Sequence, residues 1–331
     1  IVLLAYYIAA INIEAVYHDM ARENAIAMGE SGEDMPYAPF DGIVLTDTFQ
    51  LYEQDKDMIA DLLPDNSERR TAQKERDIRV IVGNPPYSVG QKSADEFAGN
   101  VSYPNLDARI RDTFAEHSKV TNKKSLYDSY IRAIRWAADR IGDQGVSAFV
   151  SGSAWVDRNF GDGVRKCLVD ECSSLFVIHL RGDIRKNMLS KGLALEGENV
   201  FDSGSMSGIA ISVLVKAPKA SERGKVYFYD IGDDLSASEK KSELIKLKGV
   251  GGVGERNLWQ TITPDDSNDW LNQKDRRFDG FPVIGNKKKN SDRPVFSIYS
   301  AVFFFFLFTP PATTVFFFLM IRRPPRSTLF P

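Results

Sequence analysis

Residues 81–87 read Ile-Val-Gly-Asn-Pro-Pro-Tyr, an amide, two consecutive prolines and a phenol directly after an apolar run. Proline cannot donate to a sheet ladder, so a strand arriving here has to stop. A residue that precedes proline is held in extended geometry, which fixes both Asn84 and Pro85. The product is a stiff corner whose carbonyls and flanking side chains point in set directions. Such a corner suits a planar amino group like the N6 of adenine, whose lone pair is delocalised and weakly nucleophilic. The Asn84 side-chain oxygen and the Pro85 carbonyl would accept its two N–H bonds. That turns the lone pair toward an electrophile, and orientation supplies most of the help when reacting atoms sit about 3–3.5 Å apart. Tyr87 would stack on the base, worth roughly 1–3 kcal/mol. This offsets part of the few kcal/mol that drawing a base out of a duplex requires. The competing reading is a proline turn that only stiffens a strand end. With proline at about 5% of residues, a chance Asn-Pro-Pro-Tyr falls in on the order of one chain per thousand.

A corner of this kind needs a sheet behind it. The apolar runs Ile78–Val82, VSAFVS, LFVIHL, IAISVLV and KVYFYDI read as strands, and Ile43-Val44-Leu45 as a short one ending in Thr46-Asp47-Thr48. Helices are expected over residues 1–20, within 53–77, from Ser125 to Ile141, over GVRKCLVDE and over KKSELIKLK. Ser125 with Asp128 three residues on resembles a capping box, and Gly142 stops that helix. Residues 88–124 read as a long loop with some helix, and loops of that length tend to be functional. Strands alternating with helices predict an α/β sheet, and the close pair IAISVLV and KVYFYDI predicts an antiparallel edge. In such sheets ligands bind beyond the carboxyl ends of strands, where both LTDTF and VGNPPY fall.

Bulk properties narrow the class. The chain has 331 residues, 43% hydrophobic and 26% charged, with a net charge of −3. That composition is globular, and any nucleic-acid surface would be a local patch. Cys167 and Cys172 form neither a zinc module nor a disulfide scaffold, and no metal site is expected, so the cytoplasm is the default compartment. The opening run IVLLAYYIAAINIEAV lacks the basic start and cleavage site of a signal peptide and reads as an amphipathic helix cut at its start. Composition shifts abruptly near Ala301, and the apolar runs beyond it are too short for a bilayer, which needs about 20 residues. Residues 301–331 resemble a translated adapter and are set aside as an artefactual tail. The glycine string Gly249-Val250-Gly251-Gly252-Val253-Gly254 matches a dinucleotide fingerprint, but a charged helix precedes it instead of a strand, so it reads as a linker. Lys123, Lys124, Arg132 and Arg135, and separately Lys287-Lys288-Lys289, are candidate DNA contacts, with a solvated face as the plainer reading.

NPPY after a strand resembles the signature of S-adenosylmethionine-dependent amino-methyltransferases. The longer runs SLYDSYIRAIRWAADRIGDQGVSAFVSGSAW, LRGDIRK, ENVFDSGSMSGIAI and FSIYS are similar to one branch, the Type ISP restriction-modification enzymes and related large proteins often called predicted helicases. The resemblance covers residues 1–300. It implies a Rossmann-like methyltransferase sheet over residues 1–230, truncated at its N-terminal side, and the start of a target-recognition domain over 231–300. It implies S-adenosylmethionine as cofactor, double-stranded DNA as partner, and nuclease and helicase domains upstream in the same polypeptide. Asn84, Pro85, Pro86 and Tyr87 match the catalytic motif. Asp47 matches the acidic contact to the amino group of the cofactor's adenine, with Thr48 and Phe49 lining that pocket beside Asn84. Tyr127 and Tyr130, with Tyr87, match the target-base pocket; Tyr127 and Tyr130 also fit simple core. The family's Gly-rich cofactor loop and acidic ribose ligand would precede residue 1. Ser205-Met206-Ser207-Gly208 stands where the family has an Arg-bearing turn. The implied activity is adenine-N6 methylation of DNA; a glutamine-amide or RNA methyltransferase and a non-catalytic DNA-specificity module are the alternatives.

Overall fold

A computed structural model describes residues 3–31, 37, 39–40, 42–53, 63–86, 103–189, 195–201 and 207–273. Tyr87, Met206, Lys287, Lys288, Lys289 and the 301–331 tail lie outside them. Six strands, β1 (Val80–Gly83), β2 (Gly145–Gly152), β3 (Ser174–Arg181), β4 (Ile209–Lys216), β5 (Lys225–Asp230) and β6 (Gln260–Ile262), form one mixed sheet in the order β1-β2-β4-β3-β5-β6. β1 runs parallel to β2, β4 runs antiparallel to both β2 and β3, and β5 runs parallel to β3. It follows that β1, β2, β3 and β5 share one direction. Their carboxyl ends, at Gly83, Gly152, Arg181 and Asp230, lie along one edge of the sheet.

Two corrections concern strands. IAISVLV is no edge: β4 is inserted between β2 and β3, and the antiparallel edge is β6, which pairs with β5. Residues 43–45 join no strand. The buried Asn66 side chain takes the place of a ladder, accepting from Leu45 N (2.7 Å) and donating to Leu45 O (3.0 Å).

Alternation along the strands splits the core into two layers. Phe149, Leu175, Val177, Ala210, Leu214, Val226 and Phe228 face one side, under α3 (Pro104–Ile110), α4 (Ser129–Arg140), α5 (Ala154–Asp157) and α6 (Asp162–Glu171). Ile178, Leu180, Ile209 and Ile231 face the other, with α8 (Ala237–Leu247) and α9 (Val250–Glu255). α2 (Pro64–Glu75) precedes β1, and α7 (Ile184–Leu189) follows β3. The π-turn Arg111–Ala115 continues α3, and α6 packs on it so closely that a Cβ at Gly163 would collide with the Phe114 carbonyl.

α4 starts later than the Ser125 capping box predicts. Residues 124–127 make a 3₁₀ turn, and Asp128 is the N-cap, its extended backbone (ψ 148°) breaking the helix before Ser129. The Gly249–Gly254 stretch is no linker; residues 250–255 are helical, after helix α8, whose start carries a complete capping box between Ser236 and Glu239. The sheet and its core continue past residue 230: β6 pairs on β5, and Trp270 packs edge-on to Trp155 at 5.4 Å. Arg165 ties that segment down, bonding Asn268 O (2.6 Å) and Asp269 Oδ1 (2.6 Å) together with the carbonyls of Trp155, Val156 and Arg158.

α1 (Leu3–Ala27) is helical as expected but has no apolar stripe facing a core. Of its residues only Ala25 is buried, while Leu4, Ile11, Val16 and Met20 are all more than half exposed. On β1, Val80 and Val82 are 66% and 79% exposed. Among the described residues no helix is long and apolar enough to cross a membrane.

Candidate active site at the carboxyl edge of the sheet

The corner Asn84-Pro85-Pro86 leaves β1 at the carboxyl edge, with Asn84 and Pro86 exposed and Pro85 half-buried. Gly83, the last strand residue, pairs with Phe149 of β2. A Cβ on Gly83 would stand 2.8 Å from Phe149 Cε1, so the ring occupies the space a side chain would need and the corner starts directly over it. Three residues beyond Phe149, β2 ends at Gly152, against which the Tyr130 ring packs at the distance of ordinary van der Waals contact from a built Cβ (3.6 Å). Tyr130 is 2% exposed and belongs to the larger core cluster; burial first, then the nearby Asp128 charge, raise its phenol well above its ordinary pKa. Tyr127 is half-buried and packs on the same cluster. Its phenol is also raised, by burial and then by Asp107.

Asp47 sits in the segment that Asn66 holds. Its Oδ1 accepts from Phe49 N (3.0 Å) and its Oδ2 from the Tyr103 hydroxyl (2.8 Å). Phe49 meets the Tyr103 ring edge-on at 5.2 Å, and Thr48 is exposed. The buried Glu53 carboxylate accepts from Asn105 N and Leu106 N at 3.0–3.1 Å, satisfying the free N–H groups of the first turn of α3. α4 touches both neighbourhoods: Tyr130 packs on the end of β2, and Arg132 lies over Tyr103. Sequence reasoning missed Tyr103, Glu53 and Asn66. Their partners are 21 to 56 residues away, and no local pattern encodes such pairs.

Gly182 of the run LRGDIRK meets Glu196 and Asn199, the latter in the run ENVFDSG, at the end of β3. Gly182 N donates to Glu196 O (3.0 Å), and Asn199 Nδ2 donates to Gly182 O (3.3 Å) and Ser207 O (2.9 Å). Ion pairs line this edge: Arg158 with Asp183, Lys186 with Asp157 and with Glu196 (3.3 Å), and Arg181 with Asp230 (2.6 Å) and Asp233. A surface cavity of about 560 Å³ lies elsewhere, between Pro39, Val44 and the α2 residues Asp65, Arg69 and Gln73, and shares no residue with the corner.

The candidate phosphate contacts on α4 need correcting. Arg135 is fully buried, bonded to both oxygens of Glu171 (2.7 Å each) and to Asp139 (2.6 Å), so it is neither a DNA contact nor a solvated face. Arg132 is held by both oxygens of Asp107 at 2.8 Å, and Lys123 donates to the Ala115 carbonyl. Lys124 is exposed.

No protein-family model and no curated protein matches the chain. Solved structures do. The ATP-dependent Type ISP restriction-modification enzyme LlaBIII bound to DNA is 39% identical with a TM-score of 0.80, over 91% of this chain and 19% of that one. A nuclease-deletion mutant of the Type ISP restriction-modification enzyme LlaGI, in complex with a DNA substrate mimic, is 38% identical with a TM-score of 0.78, over 90% of this chain and 22% of that one. The DrdV–DNA complex is 30% identical with a TM-score of 0.73, over 91% of this chain and 28% of that one. The chain therefore spans between about a fifth and a little over a quarter of the length of these structural relatives.

Proposed function

We propose that the chain carries catalytic machinery of an S-adenosylmethionine-dependent DNA adenine-N6 methyltransferase, as one part of a restriction-modification polypeptide. The observation that carries this reading is the Asn-Pro-Pro corner at the carboxyl end of a strand whose parallel neighbours end on the same edge, with helices on both faces of the sheet. That is the edge at which α/β sheets bind ligands, and it supports a Rossmann-like reading of the sheet. Similarity to Type ISP enzymes solved on DNA favours duplex DNA as substrate over a protein amide or RNA. The small share of those chains that is covered supports further domains, a nuclease and a helicase motor, in the same polypeptide, working in the cytoplasm. Target recognition is assigned to residues 231–300, of which 231–273 also complete the sheet and its core.

In this mechanism the Asn84 oxygen and the Pro85 carbonyl accept the two N–H bonds of a flipped adenine, and Tyr87 stacks on its face. The cofactor supplies a methyl group on a positively charged sulfur. Aligning the lone pair is the work of the corner, and no strong base is required at first, because the proton can leave once the nitrogen is cationic. Asp47 fits the cofactor's adenine amino group by chemistry. An ionised carboxylate has about four acceptor positions, and described donors fill one on each oxygen.

The test is methyl transfer to duplex DNA from radiolabelled cofactor by the full-length protein. Asn84→Ala abolishes incorporation and leaves the thermal melt unchanged. Incorporation at the parental rate would refute the acceptor role.

A further inference from the structure

Asp47 belongs to no strand or helix, so its carboxylate is aimed by the hydrogen bonds it accepts. One is local, from Phe49 N two residues on. The other comes from Tyr103, 56 residues away, whose hydroxyl donates to Oδ2 at 2.8 Å. Tyr103 is itself held on every side. It is 8% exposed and stands at the N-cap of α3, ahead of Pro104. Its ring meets Phe49 edge-on, and the Arg132 guanidinium carbon lies 5.3 Å from its centroid. Arg132 cannot swing away, because Asp107 takes two of its N–H groups at 2.8 Å.

We infer that Tyr103 is a positioning residue: its hydroxyl holds the Asp47 carboxylate in the orientation that accepts the amino group of the cofactor's adenine ring. This rests on the reading of Asp47 as that acceptor. The bond occupies one position on Oδ2 and stops the carboxylate turning about its last torsion, which is otherwise broad. Losing it leaves the negative charge in place and loosens its aim. Affinity for the adenine form therefore falls, while affinity for a ligand lacking the amino group is untouched. The phenol stays a donor at any working pH, since burial and then the Asp47 contact raise its pKa.

The experiment is calorimetry on the full-length protein with two product-like ligands, S-adenosylhomocysteine and its deaminated counterpart S-inosylhomocysteine, which carries a carbonyl where adenine has the amino group. The parent prefers the adenine form by about ten-fold, the equivalent of one good hydrogen bond. Tyr103→Phe, which keeps the ring against Phe49, loses most of that preference. Glu53→Gln weakens the seating of α3 without touching Asp47 and keeps the preference. Each variant's melt is followed in parallel. If Tyr103→Phe discriminates like the parent while Asp47→Asn does not, the inference about Tyr103 is overturned and the reading of Asp47 stands. Equal loss in Glu53→Gln also overturns it, since Tyr103 would then act only by anchoring α3. A parent that binds neither ligand, or binds both alike, removes the reading of Asp47 and the inference with it.

Discussion

Phe149 and Gly83 face each other across the β1–β2 pair, and the Phe149 ring occupies the volume that any side chain at 83 would take. The ring is almost fully buried in the larger core cluster, so it has little room to retreat. Gly83→Ala should therefore overpack the site at about 1–3 kcal/mol. Part of the strain would pass into residues 84–86, whose extended geometry the prolines already restrict. Methyl transfer is expected to fall more than the fraction of folded protein does, and Phe149→Leu in the same chain should restore part of both. Urea unfolding beside a methylation assay checks this. A Gly83→Ala protein with parental turnover would show that Phe149 does not govern the corner.

Some of this arrangement was legible in the residues. β2, β3, β4 and β5 announce themselves as apolar runs with β-branched residues, and β1 is closed by its prolines. Their spatial order was not legible, because inserting β4 between β2 and β3 depends on pairings between residues far apart in the chain. Residues 43–45 have strand composition, yet the Leu45 backbone bonds to the Asn66 side chain and the Ile43 carbonyl accepts from Arg69 Nε, so side chains replace a ladder. Ser125 and Asp128 have the spacing of a capping box, but the backbone of Asp128 is extended, which puts the helix start after it. Arg135 looked like a surface cation because its main partner, Glu171, lies 36 residues further on. Asp47 and the NPPY corner could be singled out from sequence; Tyr103, which holds Asp47, could not, since a lone tyrosine ahead of a proline has no distinguishing pattern.

Both cysteines are free and buried, and burial pushes the Cys167 thiol up to about 11 and the Cys172 thiol up to about 12. The thiolate is the reactive form, so neither should react in the folded protein at pH 8. Iodoacetamide is expected to label neither until denaturant is added, then both. Because the folded pKa values exceed the ordinary 9.0, the contribution of these thiols to stability is intact below pH 9 and is lost as pH rises toward 11 and 12. Rapid labelling of the native protein would contradict the burial.

Asp230 ends β5 beside Arg181, whose Nε is 2.6 Å away, with His179 Nδ1 at 3.6 Å and the Gly232 N–H at 2.9 Å. Burial raises its carboxyl pKa, but these partners together outweigh burial and hold it below the ordinary carboxylate range. A depressed folded pKa means that the stabilisation is present above the unfolded value of 3.8 and disappears as pH falls below it. Asp230→Asn is therefore expected to be less stable than the parent at pH 7, with the difference shrinking as pH drops below 4. Thermal melts of both proteins between pH 2 and 7 measure it, and a gap that stays constant or widens in acid would count against this pairing.

Arg135 ties α4 to α6. Its guanidinium is wholly buried, bonded to Glu171 and Asp139, and lies 5.2 Å from the centre of the Phe114 ring. Glu171 also receives Lys216 at 3.3 Å, and Asp139 receives Arg109 at 3.1 Å and the Tyr52 hydroxyl at 3.1 Å. Removing this buried cation takes from Glu171 and Asp139 the partner they share and leaves Glu171 with Lys216, and Asp139 with Arg109 and Tyr52. Losing one partner of such a pair costs about 3–5 kcal/mol. Arg135→Ala should lose at least that much in urea unfolding, and Arg135→Lys only part of the difference, because a single ammonium cannot bond both oxygens of Glu171 and reach Asp139 as the planar fork does. Glu171→Gln tests the same network from the other side. Its carboxyl is raised by burial and lowered further by Arg135, so the folded state favours its ionised form, and the cost of this substitution should shrink in acid. An Arg135→Ala protein as stable as the parent would mean that the guanidinium is solvated and that α4 does not dock on α6 through it.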